Sequence, residues 1–177
     1  MTRSPLILAV LALSLVLAGC GSRSVGNKID DQFIPSQVSS NIARAHIDLT
    51  SPTSRIIVTS YNGVVLLAGQ TPRNDLKGIA EQAARRVNNV KKIHNELQIQ
   101  NPTSLLVRGN DSLLTSRIKT QMLADSTVPG SRIKVITENG IVYLLGLVSQ
   151  AEANHATNLV QSVSGVQKVV KLFQYTN

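Results

Sequence analysis

The sequence predicts an α+β protein built from two copies of one small module, each with the element order α-β-β-α-β. The first observation behind this prediction is an internal repeat. Residues 54–69 align without gaps to residues 131–146 at an offset of 77, and nine of the sixteen positions are identical. The second observation is an Asn-Gly pair between two apolar runs in each copy. A repeat of this kind indicates a duplicated structural unit.

Each Asn-Gly pair predicts a tight β-hairpin. A type I′ turn needs positive φ at both central residues, and Asn followed by Gly adopts that conformation most readily. Asn62-Gly63 separates the apolar positions of residues 56–58 from those of residues 64–67, and Asn139-Gly140 occupies the same place in the second copy. We therefore predict that the first two strands of each module form an antiparallel pair.

A helix and a final strand are predicted after each hairpin. Apolar residues recur at helical spacing over about 74–88 in the first module and about 149–164 in the second. The following stretches, 90–99 and 166–175, alternate polar with apolar residues, which is typical of a half-buried strand.

A further helix is predicted before each hairpin. In the second module Leu114, Ile118 and Met122 fall at i, i+4 and i+8, and Asn110 or Asp111 is the expected N-cap. The equivalent stretch of the first module is 35–49. We expect two helices to cover one face of a three-stranded mixed sheet in each module. Because cores of this size are marginal, we also expect the modules to pack against each other.

The N-terminus has the layout of a bacterial secretory signal. Arg3 precedes an uncharged apolar run of 13 residues, and Leu17-Ala18-Gly19-Cys20 matches the lipobox of lipoprotein signal peptidase. The alternative is an uncleaved transmembrane helix, which needs ~20 apolar residues. The match to the lipobox implies cleavage before Cys20 and acyl chains on that cysteine, and we predict no other cofactor. Gly21, where an aspartate would favour the inner membrane, points to the outer membrane, facing the periplasm.

These assignments divide the chain into five segments. They are a signal peptide (1–19), a flexible tether (20–30), the first module (31–100), a linker (101–108) and the second module (109–177). The formal net charge of the whole chain is +8, which suits nucleic acid or an anionic membrane as partner. The export signal and the absence of tryptophan argue against nucleic acid. Anionic phospholipid is therefore the predicted partner.

The second hairpin resembles a known family. Residues 135–146 read Val-x-x-x-Asn-Gly-x-Val-x-Leu-x-Gly, and residues 164–169 read Ser-Gly-Val-x-x-Val. This pattern is similar to the BON domain, and two such domains behind a lipobox resemble the dual BON-domain outer-membrane lipoproteins of proteobacteria. The resemblance implies a non-enzymatic protein that maintains the outer-membrane permeability barrier and gathers at division sites. It also implies binding of anionic phospholipid and a link to the outer-membrane protein assembly machinery.

The resemblance places lipid contact on the first helix of the second BON domain, here residues 111–124, with Leu113, Arg117, Lys119 and Leu123 as contact residues. The spacing alone puts Leu113 and Leu123 at the flanks of this helix, each one turn from a cation. Such pairs suit a headgroup–acyl boundary. The family often has a tryptophan where Leu113 stands, and leucine lacks the interfacial anchoring of an indole. The alternative is an ordinary solvated helix face.

No catalytic or metal site is predicted. His46, His94 and His155 share no metal-ligand spacing, and the few carboxylates form no evident acid–base pair. The alternative to lipid binding is a periplasmic interaction scaffold for envelope assembly machinery, which docks proteins by strand addition to an open sheet edge.

Overall fold

The computed structural model describes residues 25–176. The predicted signal peptide, Cys20 and residues 20–24 of the predicted tether lie outside this range. Helices and strands follow each other in the order predicted for two α-β-β-α-β modules. The elements are α1 (Val25–Ala45), β1 (Arg55–Tyr61), β2 (Val64–Thr71), α2 (Asn74–Arg85), β3 (Lys92–Ile99), α3 (Leu105–Ala124), β4 (Ile133–Glu138), β5 (Ile141–Val148), α4 (Gln150–Ser162) and β6 (Lys168–Tyr175).

Each module contains one three-stranded mixed sheet, as predicted. In the first module β2 is central, antiparallel to β1 and parallel to β3, and in the second β5 is central between β4 and β6. The hairpin turns have positive φ at both central positions: 53° and 78° at Asn62 and Gly63, and 52° and 73° at Asn139 and Gly140. The Asn-Gly interpretation is therefore confirmed in both modules.

Both leading helices begin earlier than predicted. Helix α1 begins at Val25, so residues 25–30 of the predicted flexible tether are helical. The added turns include Asp31, whose carboxylate accepts hydrogen bonds from the backbone N–H groups of Asn62 and Gly63, at 2.5 and 3.1 Å. These bonds hold the early turns of α1 on the first hairpin.

Helix α3 begins at Leu105, so the predicted linker 101–108 is helical over its second half. The predicted N-cap, Asn110 or Asp111, is wrong. Ser104 caps the helix and accepts a hydrogen bond from the backbone N–H of Val107 at 3.4 Å. Asp111 lies inside the helix and is buried, where it performs for the second hairpin the role that Asp31 has in the first.

Two helices cover one face of each sheet and form one apolar core with it. Helices α1 and α2 pack over the first sheet, and α3 and α4 over the second. The central strands contribute every second side chain to these cores, Val65 and Leu67 from β2 and Val142 and Leu144 from β5. The intervening side chains point to the opposite face of each sheet.

The two sheets pack against each other through those opposite faces. A third apolar cluster combines side chains of both modules, namely Tyr61, Leu66, Ala68, Tyr143, Leu145 and Leu172. Hydrogen bonds border this layer: the hydroxyl of Tyr61 donates to the carbonyl of Arg132 at 2.8 Å, and Nζ of Lys134 donates to the carbonyl of Ser60 at 3.2 Å. The predicted packing of the modules is confirmed, and it produces four layers in the order helix, sheet, sheet, helix.

The three apolar clusters use only side chains between Ile34 and Phe173. A fragment of residues 25–177 therefore contains every apolar cluster that the described residues form and is expected to fold on its own. Within residues 25–176, no helix has the length and apolar character needed to cross a bilayer.

Candidate functional site

Helix α3 presents one apolar face to the second sheet and a second apolar strip to solvent. Leu114, Ile118 and Met122 are buried in the core, as their spacing predicted. Leu113 and Leu123 are 66% and 70% exposed, which confirms their predicted place at the flanks. Leucines this exposed on an otherwise well-packed helix have no role in holding the domain together.

The early start of α3 adds two leucines that the sequence analysis missed. Leu105 and Leu106 are 80% and 82% exposed. At 3.6 residues per turn, Leu106 and Leu113 are two turns apart on one side, and Leu105 and Leu123 are five turns apart on the other. The leucine strip is defined here as these four residues, and it runs along most of the ~30 Å length of the helix. A signal for it was available, because Ser104 after Pro102 is a typical helix start.

Small hydroxyl residues occupy the solvent side of α3 between the leucines. Ser112, Ser116 and Thr120 each donate a hydrogen bond to the carbonyl four residues earlier, at 2.9, 3.1 and 3.0 Å. Their donors are thus satisfied within the helix. Because burying a hydroxyl without a hydrogen bond is costly, this arrangement lowers the cost of moving the face out of water.

The charges of α3 are asymmetric. Its three cations are Arg108, Arg117 and Lys119, and its single acid, Asp111, is buried. Asp111 accepts hydrogen bonds from the backbone N–H groups of Asn139 and Gly140 at 2.7 and 2.9 Å. The exposed surface of the helix therefore carries positive charge without a compensating carboxylate.

The structure brings two of the four predicted contact residues together and separates the other two. Leu113 and Arg117 line a cavity of about 460 Å³ beside the Asn139-Gly140 turn. Nη1 of Arg117 donates to the carbonyl of Ser164 at 3.1 Å, which fixes the guanidinium at the cavity rim. Lys119 lies on the opposite flank, in a groove of about 430 Å³ shared with Asp31.

Leu123 stands at the far end of α3 and lines neither of these two cavities. The four predicted residues thus do not enclose one ligand. Leu113 and Leu123 belong to the leucine strip, and Arg117 and Lys119 lie on its opposite flanks. This geometry suits an extended apolar surface rather than a single small molecule.

The titratable groups show structural roles. No group of three or more metal-ligating side chains occurs within residues 25–176. Burial lowers the pKa of His94. The pKa of Glu81 is lowered by hydrogen bonds from Asn95 and Arg85, and that of Glu152 by the backbone N–H of Ser149 and by Arg132. The contacts of these two carboxylates with amide groups and arginines favour their ionised form.

The family model of the BON domain matches residues 30–101 and 110–177, which together are most of the chain. The chain belongs to the BON domain family. This tandem BON-domain protein is 36% identical to "Outer membrane lipoprotein DolP" of Haemophilus influenzae, over 99% of each chain. It is also 36% identical to the "21 kDa hemolysin" of Actinobacillus pleuropneumoniae, over 86% of this chain and 78% of that protein.

A further relative of this tandem BON-domain protein is "Osmotically-inducible protein Y" of Escherichia coli, 32% identical over 82% of this chain and 72% of that protein. The match to DolP spans both modules and the N-terminal segment, because it covers almost all of both chains. The two matched ranges agree with the two folded modules, and the second begins within α3.

Proposed function

We propose that this tandem BON-domain protein is a non-enzymatic outer-membrane lipoprotein that faces the periplasm and binds anionic phospholipid through α3. Acyl chains on Cys20 anchor it, and the leucine strip makes a second contact with the same membrane. Through that contact the protein maintains the permeability barrier of the outer membrane, at division sites. The exposed leucine strip flanked by cations is the observation that supports this proposal most directly.

The leucine strip supplies the apolar part of the binding energy. Burying one fully exposed leucine contributes ~1.5–3 kcal/mol, so a side chain exposed as these are contributes roughly 1–2 kcal/mol. Partial insertion of four leucines is therefore enough to overcome the loss of freedom of a protein that is already tethered nearby. The satisfied hydroxyls of Ser112, Ser116 and Thr120 keep the opposing cost of desolvation small.

The flanking cations supply the selectivity for anionic headgroups. Each cation near an anionic surface contributes ~1 kcal/mol. Arg117 and Lys119 lie on opposite flanks of α3, so both reach a headgroup layer when the leucine strip lies flat on it. Neutral vesicles should therefore bind this surface more weakly than anionic ones.

Vesicle flotation of the fragment 25–177 tests this proposal without the acyl anchor. We expect more protein to float with phosphatidylglycerol-containing vesicles than with phosphatidylcholine alone. Leu113→Asp, Leu106→Asp and Arg117→Glu should each reduce that recovery several-fold. Ile47→Asp is the matched control, because Ile47 is 78% exposed but lies in the first module. Equal recovery on both vesicle types, unaffected by these α3 substitutions, would refute the lipid proposal.

A second candidate function is docking of the outer-membrane protein assembly machinery. Strands β3 and β6 each form the edge of their sheet, and residues 25–176 supply no further strand to pair with them. Such edges accept an added strand from a partner. A proline within β3 that abolishes barrier function while vesicle binding persists would favour this second function.

A further inference from the structure

We propose that a phosphate-binding site lies between the two modules, at Arg55 and Arg108. This site is separate from the leucine strip and does not rest on the function proposed above. It concerns a cavity on the side of α3 that faces the first module. The ligand is a phosphate ester, recognised by two guanidinium groups that come from different modules.

Two buried guanidinium nitrogens that make no hydrogen bond carry this inference. Within the described part of the chain, the buried side-chain nitrogen and oxygen atoms that lack a hydrogen-bond partner are Nε of Arg55 and Nε of Arg108. Both arginines line the same cavity, of about 300 Å³. A buried donor without an acceptor costs ~1–3 kcal/mol, and more when it is charged. Nε of Arg55 lies 3.5 Å from the carboxylate of Glu138, so Nε of Arg108 is the donor that most needs an anionic acceptor.

The cavity has walls from three parts of the first module. Helix α1 contributes Ser39 and Ile42, the loop after it contributes Leu49 and Ser51, and β1 contributes Arg55. Arg108, on α3, is the one lining residue from the second module. A ligand held by both arginines would therefore bridge the modules.

Within residues 25–176, one of the two guanidinium groups of this cavity has no carboxylate partner. The carboxylate of Glu138 lies 3.5 Å from Nε of Arg55, and it also accepts hydrogen bonds from Gln70 at 2.8 Å and from Thr103 at 3.0 Å. The carboxylate of the adjacent loop, Asp48, pairs with Arg73 at 2.8 Å, outside the cavity lining. Glu138 thus balances Arg55, and among the described residues no carboxylate pairs with Arg108, so its charge remains for an incoming anion.

The lining chemistry fits a phosphate ester better than a bare ion. Guanidinium groups bind the oxygens of phosphate through paired N–H donors. Ser39 and Ser51 are exposed at the wall, whereas Ser54 already donates to the carbonyl of Asp48 at 2.5 Å. The apolar side chain of Ile42 forms part of the floor. A cavity of this volume, at the lower end of the range for organic ligands, accommodates an ester group beside the phosphate.

Arginine Nε–Hε resonances of the fragment 25–177 test the site directly. On titration with glycerol 1-phosphate, we expect saturable shifts of the Arg55 and Arg108 signals, and weaker saturation with inorganic phosphate. Arg108→Gln should raise the Kd at least tenfold. Arg108→Lys keeps the charge but loses the paired donors, so it should also weaken binding. Arg86→Gln is the matched control, because Arg86 is exposed and lines a different cavity.

Two results would overturn this proposal. One is a linear drift of the Arg55 and Arg108 signals in step with that of Arg86, which would indicate general ionic screening. The other is an Arg108→Gln variant that binds glycerol 1-phosphate as tightly as the parent fragment.

Flotation distinguishes the two sources of the phosphate ester. If the site takes a lipid headgroup, Arg108→Gln lowers recovery on phosphatidylglycerol vesicles and glycerol 1-phosphate competes. If the site takes a soluble ester, Arg108→Gln leaves the recovery on phosphatidylglycerol vesicles unchanged. The Arg55 and Arg108 signals of the parent fragment still shift with glycerol 1-phosphate. Either result supports the site. Leu113→Asp should reduce flotation several-fold and leave the shifts intact, so failure of the lipid proposal is distinguishable from failure of this one.

Discussion

Asp111 links α3 to the second hairpin, and the Asp111→Asn substitution tests how much that link contributes to the stability of the fold. The carboxylate is 6% exposed and accepts hydrogen bonds from two backbone N–H groups, those of Asn139 at 2.7 Å and Gly140 at 2.9 Å. A hydrogen bond to an ionised acceptor contributes a net ~1.5–3 kcal/mol. The amide of asparagine has one acceptor oxygen, and its NH₂ group would face the second backbone donor.

The substitution therefore removes one hydrogen bond and leaves one buried donor unsatisfied. We expect Asp111→Asn to lower the free energy of unfolding by about 2–4 kcal/mol. For a chain of this length, ~1 kcal/mol corresponds to ~2–4 °C, so the Tm should fall by about 5–15 °C. Since Asp31 holds the first hairpin in the same way, Asp31→Asn should have a comparable effect.

Urea unfolding of the fragment 25–177, followed by circular dichroism, measures this change. Asp75→Asn is the control: its carboxylate is 57% exposed and pairs with Arg73, and such surface pairs contribute ~0–1 kcal/mol. If the Asp111→Asn variant is no less stable than the Asp75→Asn variant, the carboxylate does not anchor the turn and this reasoning is wrong.

Two further predictions concern the capping of α4 and the layer between the sheets. The backbone N–H of Ser149 and the guanidinium of Arg132 hold the pKa of Glu152 below its ordinary value of 4.5. These contacts therefore stabilise the folded state above that pH, and the stabilisation is lost as the pH falls through the folded-state pKa of Glu152. Glu152→Gln should therefore destabilise the fragment 25–177 at neutral pH and match it in strong acid, and a pH-independent difference in urea unfolding would contradict this. Leu66→Ala should lower the free energy of unfolding by about 2–5 kcal/mol, because Leu66 is fully buried between the sheets. Hydrogen-exchange protection should fall in both modules, and a loss confined to the first would show that they unfold separately.

Local patterns predicted the elements and their order. The Asn-Gly pairs fixed both hairpins because the required φ values are a property of two adjacent residues. The spacing of Leu114, Ile118 and Met122 identified the buried face of α3, since helical periodicity depends only on neighbours along the chain. These inferences needed no knowledge of distant contacts.

The contacts that tie α1 and α3 to the hairpins are ones that no local pattern contains, although Ser104 did give a local signal for the start of α3. Asp31 reaches the first hairpin and Asp111 the second, about 30 residues further along the chain. The error at α3 also hid Leu105 and Leu106, and with them half of the leucine strip. The cavity at Arg55 and Arg108 could not be predicted from a local pattern either, because residues of both modules line it.

The layer between the sheets did leave a signal in the sequence. Strands β2 and β5 contain nearly continuous apolar runs, at 64–68 and 141–148. A strand with one solvated face alternates polar with apolar residues, so continuous runs indicate that both faces are buried. The prediction that the modules pack together could thus have been sharpened to face-to-face packing of their sheets.

The early start of α1 sets the reach of the proposed anchor. With Cys20 acylated, five peptide steps separate the membrane attachment from Val25, and even fully extended they span at most ~17 Å. Asp31 in turn lies in the same groove as Lys119 of α3. The proposed connection to the membrane is therefore short, and α1 lies beside the flank of α3 at Asp31. The proposed anchor therefore predicts that the folded modules stay close to the leaflet that holds the acyl chains.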